Sequence, residues 1–166
     1  ETPMETVQEA AAIATSHGVA VILNPAPAQP LADEVLRHVS VLNPNESEAQ
    51  LLTGVEVSGE RGAAEAAKTL RGRGVAAVIV TLGPHGAFVS ADDFTGLVPA
   101  FQVNPVDTTA AGDVFNGALA VAMSEGTSLP EAVRFASAAA ALSVTKLGAQ
   151  PSAPVRQDIE AVLASP

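Results

Sequence analysis

The chain has 166 residues, 48% of them apolar, with a mean hydropathy of +0.30 and a formal charge of −10, enough for one domain with a core and too apolar for extended disorder. Eight Lys and Arg against eighteen Asp and Glu repel a phosphate backbone, which excludes nucleic acid as a partner, and the absence of Trp and Tyr removes base-stacking platforms. No cysteine is present to form disulfides, thiolate metal sites or a thiol nucleophile, and no apolar run reaches the roughly 18 residues of a membrane span, so the expected location is the cytoplasm, with no membrane partner.

In chain order, Met4, Val7, Ala11 and Ala14 share one helical face over residues 4–17, and Gly18 follows as a C′ residue suited to positive φ. The run Val19–Leu23 predicts a strand. A weaker helical stretch, Leu31–Arg37, leads into a strand at Val39–Leu42, and another, Gly62–Arg71, leads through Gly74 into the β-branched run Val75–Thr81. Apolar strands alternating with helices are what a parallel sheet buried on both faces requires. Beyond Thr81, Gly86–Ser90 and Leu97–Val103 predict short strands around the turn Ala91-Asp92-Asp93, an antiparallel edge. The last third predicts helices at Gly112–Glu125, Leu129–Lys146 and Val155–Ala164, the middle one lined with Ala and Ser for close approach to the sheet. No repeat or linker interrupts the chain, and a single α/β domain is expected.

Four segments could carry chemistry. Asp107-Thr-Thr-Ala-Ala-Gly-Asp113 lies between a strand end and an amphipathic helix, where unpaired N–H groups and the positive dipole end meet an anion. Ala110, Ala111 and Gly112 are small enough to let a phosphate reach those amides, and Asp113 could accept a proton from an attacking hydroxyl. Read locally, Asp113 is equally a first-turn acid favoured by the dipole, and Gly112 a turn residue. Asn45 and Glu48, after the strand at Val39–Leu42, form a capping box for a helix through Leu52. Thr81-Leu-Gly83-Pro-His-Gly86 reads as a strand-to-strand turn, and Lys146-Leu-Gly148-Ala-Gln-Pro-Ser152 as a helix end with a glycine cap.

The run from Asp107 to Gly117, DTTAAGDVFNG, closely resembles the signature of the ribokinase family of PfkB-type carbohydrate kinases. The resemblance implies a ribokinase-like three-layer α/β/α fold with a mainly parallel sheet, and ATP-dependent phosphorylation of a sugar, with ribose as the expected acceptor. It implies Asp113 as general base, with Ala110, Ala111 and Gly112 as an anion hole for the γ-phosphate. By the same resemblance Asn45 and Glu48 serve hydrated Mg²⁺ and the nucleotide phosphates, and Thr81, Gly83 and Gly86 run along ATP. The adenine would lie against the helix holding Ser137 and Ala141. Asp107, Thr109, Ser143, Lys146, Gly148 and Ser152 would offer oxygens to K⁺, several of them from the backbone. Glu1 matches a carboxylate that contacts the sugar. The segment Asn24-Pro-Ala-Pro-Ala28 also fits, and the resemblance covers the chain but only the second half of the family's length. The first strands of the sheet and the small β lid are therefore expected to be absent, which would expose the edge near residues 1–5 and Val19–Leu23 and favour a homo-oligomer.

Other patterns point nowhere. Gly72-Arg-Gly-Val-Ala-Ala77 has a dinucleotide-binding spacing but precedes a strand instead of following one, and no P-loop sequence is present. His17, His38 and His85 lack the paired spacing of a zinc-binding helix. The alternatives to a ribose kinase are a kinase for another sugar or a nucleoside, or a nucleotide-binding fragment without catalysis.

Overall fold

The computed structural model of the chain describes residues 2–164. It forms an α/β fold whose single five-stranded sheet has the order β1-β2-β3-β4-β5. The strands are β1 (Ile22–Leu23), β2 (Val41–Leu42), β3 (Ala77–Thr81), β4 (Ala87–Ser90) and β5 (Thr95–Val98). The helices are α1 (Met4–Ser16), α2 (Asp33–Leu36), α3 (Glu46–Thr53), α4 (Gly59–Gly72), α5 (Ala111–Ser124), α6 (Leu129–Ser143) and α7 (Arg156–Ala164). β1 to β3 run parallel, in the register Ile22 to Val41 and Val41 to Ala77. The short connections into β4 and β5 suit antiparallel neighbours, since a parallel pair needs a crossover of a dozen residues or more. No helix among the described residues is long and apolar enough to cross a membrane.

The strands are shorter than their apolar runs, for local reasons. The Val19 N–H closes α1 onto Ala14 O at 2.9 Å and the Gly18 N–H bonds Thr15 O, a Schellman end with Gly18 at φ +69°. Val19 is therefore unavailable to the sheet, and strand geometry begins at Ile22. Val39 likewise spends its N–H on Leu36 O, so β2 begins at Val41. The second edge strand lies at Thr95–Val98, ahead of the expected Leu97–Val103. The Ala91 N–H bonds Phe94 O at 2.8 Å and closes the turn there, and Pro99 has no N–H to extend a ladder.

Contacts divide the chain into two compact units: one runs to Leu82 and includes Phe88–Leu97, the other holds Gly83–Ala87 and everything from Val98. In the first, Val78, Ile79 and Val80 of β3 are fully buried, as a strand covered on both faces must be. α4 turns Ala63, Ala66, Ala67 and Leu70 into the same core. It begins at Gly59, three residues before the expected start, and Gly62 permits its close approach: a Cβ there would stand 2.5 Å from Glu56 O. Arg73 stitches this unit together, donating to Asp33 at 2.8 Å, Leu31 O at 2.6 Å and Leu52 O at 3.3 Å.

In the second unit the small residues of α6 pack on α5, with Ala132, Ala136, Ala138 and Ala139 buried. α7 closes a satellite core around Ile159, Ala138 and Ala139. α6 stops at Ser143, short of the expected Lys146, because the Val144 carbonyl is taken by the N–H groups of Val106 and Asp107, at 2.7 and 3.1 Å. The chain then tightens through Thr145 to Leu142 O and Lys146 to Ser143 O, both i to i−3 bonds.

Candidate active site

The start of α5 is built from a turn of small residues. Ala110 occupies the N-cap in the left-handed region, at φ +60° and ψ 15°, and is the one non-glycine residue with positive φ among the described residues. No side chain caps the helix. The Ala111 N–H bonds Thr108 O at 3.2 Å and Val114 bonds back to Ala110 O at 2.9 Å. The amides of Gly112 and Asp113 have no backbone acceptor among the described residues, as the first turn of any helix leaves them, and with the dipole they present a site for negative charge. Gly112 is exposed and a Cβ on it would meet nothing within 4 Å, so the approach is open. Asp113 is exposed and lines a cleft of about 590 Å³, together with Ala110, Val114, Ala118, Phe135 and Ala149.

Asp107 holds this turn from below. One carboxylate oxygen accepts the Thr109 N–H at 2.9 Å and the other accepts the Gly148 N–H at 2.8 Å. The Thr109 side chain, then the Gly148 and Thr109 amides, pull the Asp107 carboxyl down from 3.8 to about 2. Of the remaining residues implied for K⁺, Ser143 and Ser152 are buried, and their hydroxyls donate to Ala140 O at 2.8 Å and Ala149 O at 2.7 Å. Each serine oxygen keeps lone pairs after that donation. Lys146 is exposed and its amide bonds Ser143 O. Gly148 sits at φ +89°. The set offers oxygens alone, which fits a hard cation and not a soft one, and among the described residues there is no cluster of three His, Cys, Asp or Glu that could hold a metal.

In the first unit, Asn45, Glu48 and Thr81 come together. Asn45 caps α3 and its side-chain oxygen accepts the Glu48 N–H at 2.9 Å. Glu48 returns the bond with both oxygens, and Asn45 also forms a bridge to Thr81, whose N–H bonds Pro44 O at 3.0 Å. Burial pushes the Glu48 carboxyl up, against the lowering effect of the Asn45 amide. A carboxylate that keeps lone pairs beside such a cap fits outer-sphere contact with Mg²⁺ through water.

Gly83 and Gly86 belong to the second unit, where Gly83 opens a short 3₁₀ turn at Gly83–His85 and Gly86 follows it. Gly86 is required there: at φ +105° a Cβ would lie 2.1 Å from Val98 O. Ser137 is half-buried on α6, while the cleft beside Asp113 takes Phe135 and Ala139 from that helix. Glu1 lies outside the described residues.

Two residues gain roles that no pattern assigned. Asn116 donates its side-chain amide to Gly112 O at 2.9 Å and so braces the first turn of α5 from within the helix. Its signal was an Asn inside a helix, four residues after a Gly. Arg156 lines the cleft, stacks over Phe135 with its guanidinium 5.3 Å from the ring centre, and pairs with Glu125 at 2.5 Å. Only folding shows that α7 faces α5 here.

The family model for pfkB family carbohydrate kinases matches residues 1–156. A ribokinase of Haemophilus influenzae is 51% identical over 158 residues, covering 95% of this chain and 52% of the relative. A Bacillus subtilis ribokinase is 44% identical over 98% of this chain and 53% of the relative. Among solved structures, Arabidopsis thaliana ribokinase complexed with ribose and ATP superposes with a TM-score of 0.89 at 37% identity, covering 99% of this chain and 54% of that one. A Thermotoga maritima ribokinase gives 0.87 at 43% identity, covering 98% and 54%. The fold and these matches define a carbohydrate-kinase chain with the ribokinase-like α/β architecture. The protein belongs to the pfkB family of carbohydrate kinases, and the chain spans about half the length of the relatives it matches.

Proposed function

We propose that the chain carries the phosphate-binding and proton-abstracting part of an ATP-dependent sugar kinase, with ribose as acceptor and ribose 5-phosphate as product. The observation that carries this reading is the start of α5, where the Gly112 and Asp113 amides, without a backbone acceptor among the described residues, adjoin the Asp113 carboxylate beside a cleft. Asp113 takes the proton of the primary hydroxyl as its oxygen attacks the γ-phosphorus in line. The new O–P bond forms, the bond to the β,γ-bridging oxygen breaks, and ADP departs. The turn framed by Ala110, Ala111 and Gly112 meets the charge on the transferring oxygens with amides already in place.

Asn45 and Glu48 hold the waters of Mg²⁺, which when bound neutralises phosphate charge. Thr81, Gly83 and Gly86 lie along ATP, Ser137 lies by the adenine, and Glu1 contacts the sugar. Asp107, Thr109, Ser143, Lys146, Gly148 and Ser152 supply the oxygens for K⁺. The setting is the cytoplasm, and the chain acts as one partial domain of the kinase fold.

The test is ADP release by the 166-residue chain with ATP, Mg²⁺ and potassium, with and without ribose. Ribose-dependent release that is lost in Asp113→Asn supports the reading. Release unaffected by that change would sink it. Two alternatives have their own signatures. Turnover that prefers fructose or a nucleoside would reassign the acceptor. ATP binding without turnover would make this a nucleotide-binding chain without catalysis.

A further inference from the structure

The left-handed Ala110 turn needs an explanation, because an L-residue adopts that conformation at a cost and no side chain caps α5. Apolar packing does not supply the restraint on the loop opposite: Leu147 is 73% exposed and Lys146 is exposed. The restraint is polar. The backbone of Val106 and Asp107 hangs on Val144 O, and the Asp107 carboxylate then takes the Thr109 N–H on one oxygen and the Gly148 N–H on the other, forty-one positions along the chain. Gly148, at φ +89°, occupies a conformation few other residues could share while aiming its amide at Asp107.

We propose that Asp107 is a positioning residue whose carboxylate ties the turn opening α5 to the loop at residues 145–149, and so sets the direction of the Gly112 and Asp113 amides. The inference rests on the reading above that those amides receive the transferring phosphate. It assigns Asp107 a task separate from any contact with a monovalent cation. Both oxygens are needed for it. Asparagine offers one acceptor where aspartate offers two, so Asp107→Asn keeps one of the two ties, and Asp107→Ala keeps neither.

The experiment is amide NMR on the whole chain without nucleotide, comparing choline chloride with potassium chloride. In Asp107→Ala, exchange at the Thr109 and Gly148 amides is expected to accelerate at least tenfold in both salts. The Gly112 and Asp113 resonances should move while that of Leu119, deep in α5, stays. Asp107→Asn should accelerate one of the two tied amides. Protection of the Ala136 amide, on the buried face of α6 in the same unit, reports that each variant is folded; if Asp107→Ala fails that check, Asp107→Asn decides alone. Unchanged exchange in choline, or a loss seen only with potassium, would overturn the proposal in favour of a cation ligand. Still Gly112 and Asp113 resonances beside accelerated Thr109 and Gly148 would overturn it too, leaving a tie without a positioning role. Because no nucleotide is present, failure of the kinase reading leaves these outcomes untouched.

Discussion

Glu48 reaches back to Asn45 with both carboxylate oxygens, Oε2 accepting the Asn45 backbone N–H at 2.8 Å and Oε1 the Asn45 side-chain amide at 2.9 Å. Together with the Glu48 N–H on Asn45 Oδ1 this is a closed reciprocal cap. It holds the pair in one shape, and Glu48 itself is only 7% exposed. Asn45→Ala is expected to cost about 1–2 kcal/mol, a lost cap plus a stranded buried carboxylate partner. Asn45→Ser keeps the acceptor for the Glu48 amide and should recover part of that. Urea unfolding of the two variants checks the order.

Glu48 and Asp107, the two perturbed carboxylates among the described residues, have opposite pH signatures. Asp107 has a folded pKa of about 2, below its ordinary 3.8, so its contribution is complete above 3.8 and is lost as pH falls through about 2. Glu48 is raised above 4.5 by burial, so its contribution is complete below 4.5 and is lost as pH rises through the folded value. The stability gap between wild type and Asp107→Asn should therefore close on acidification from pH 4 toward about 2. The gap between wild type and Glu48→Gln should move against wild type as pH rises past 4.5. Unfolding midpoints at a series of pH values give both slopes.

Ala110 pays for its position in the left-handed region. Ala110→Gly relieves roughly 1–2 kcal/mol of backbone cost and adds roughly 0.5–1 kcal/mol of unfolded-state entropy. The net expectation is a chain more stable by up to about 1.5 kcal/mol. Ala110→Val should be destabilised by about 1 kcal/mol or more, since a β-branched residue fits positive φ worse. Thermal unfolding of both separates strain from simple loss of packing.

β1 is an outer strand of the sheet. Val21 O and Leu23 O bond to β2, so by strand alternation the Ile22 N–H and C=O point away from it. An uncovered strand of this kind pairs with another chain, and light scattering is expected to find a dimer or larger species. Ile22→Pro, which removes the outward N–H without touching the bonds to β2, should shift the population toward monomer. A monomer in the unaltered chain would refute self-association.

What the sequence determined by itself is whatever depends on neighbours a few positions apart. Gly18 as a helix end, the Asn45–Glu48 box and the β-branched run that buries Val78 to Val80 all rest on local torsion, hydrogen bonding and apolar content, and each was legible. The family was legible from DTTAAGDVFNG for the same reason, since this turn and the helix start after it are one continuous piece of chain. Strand ends were not legible, because Val19 and Val39 are apolar enough for a strand yet spend their amides closing the helices before them. The tertiary structure alone decided which distant groups meet: Asp107 with Gly148, Arg73 with Leu31 and Leu52, and Arg156 beside the Asp113 cleft. Those contacts join residues tens of positions apart, and no periodicity or local propensity encodes a hydrogen bond whose partner is supplied by the packing of another element.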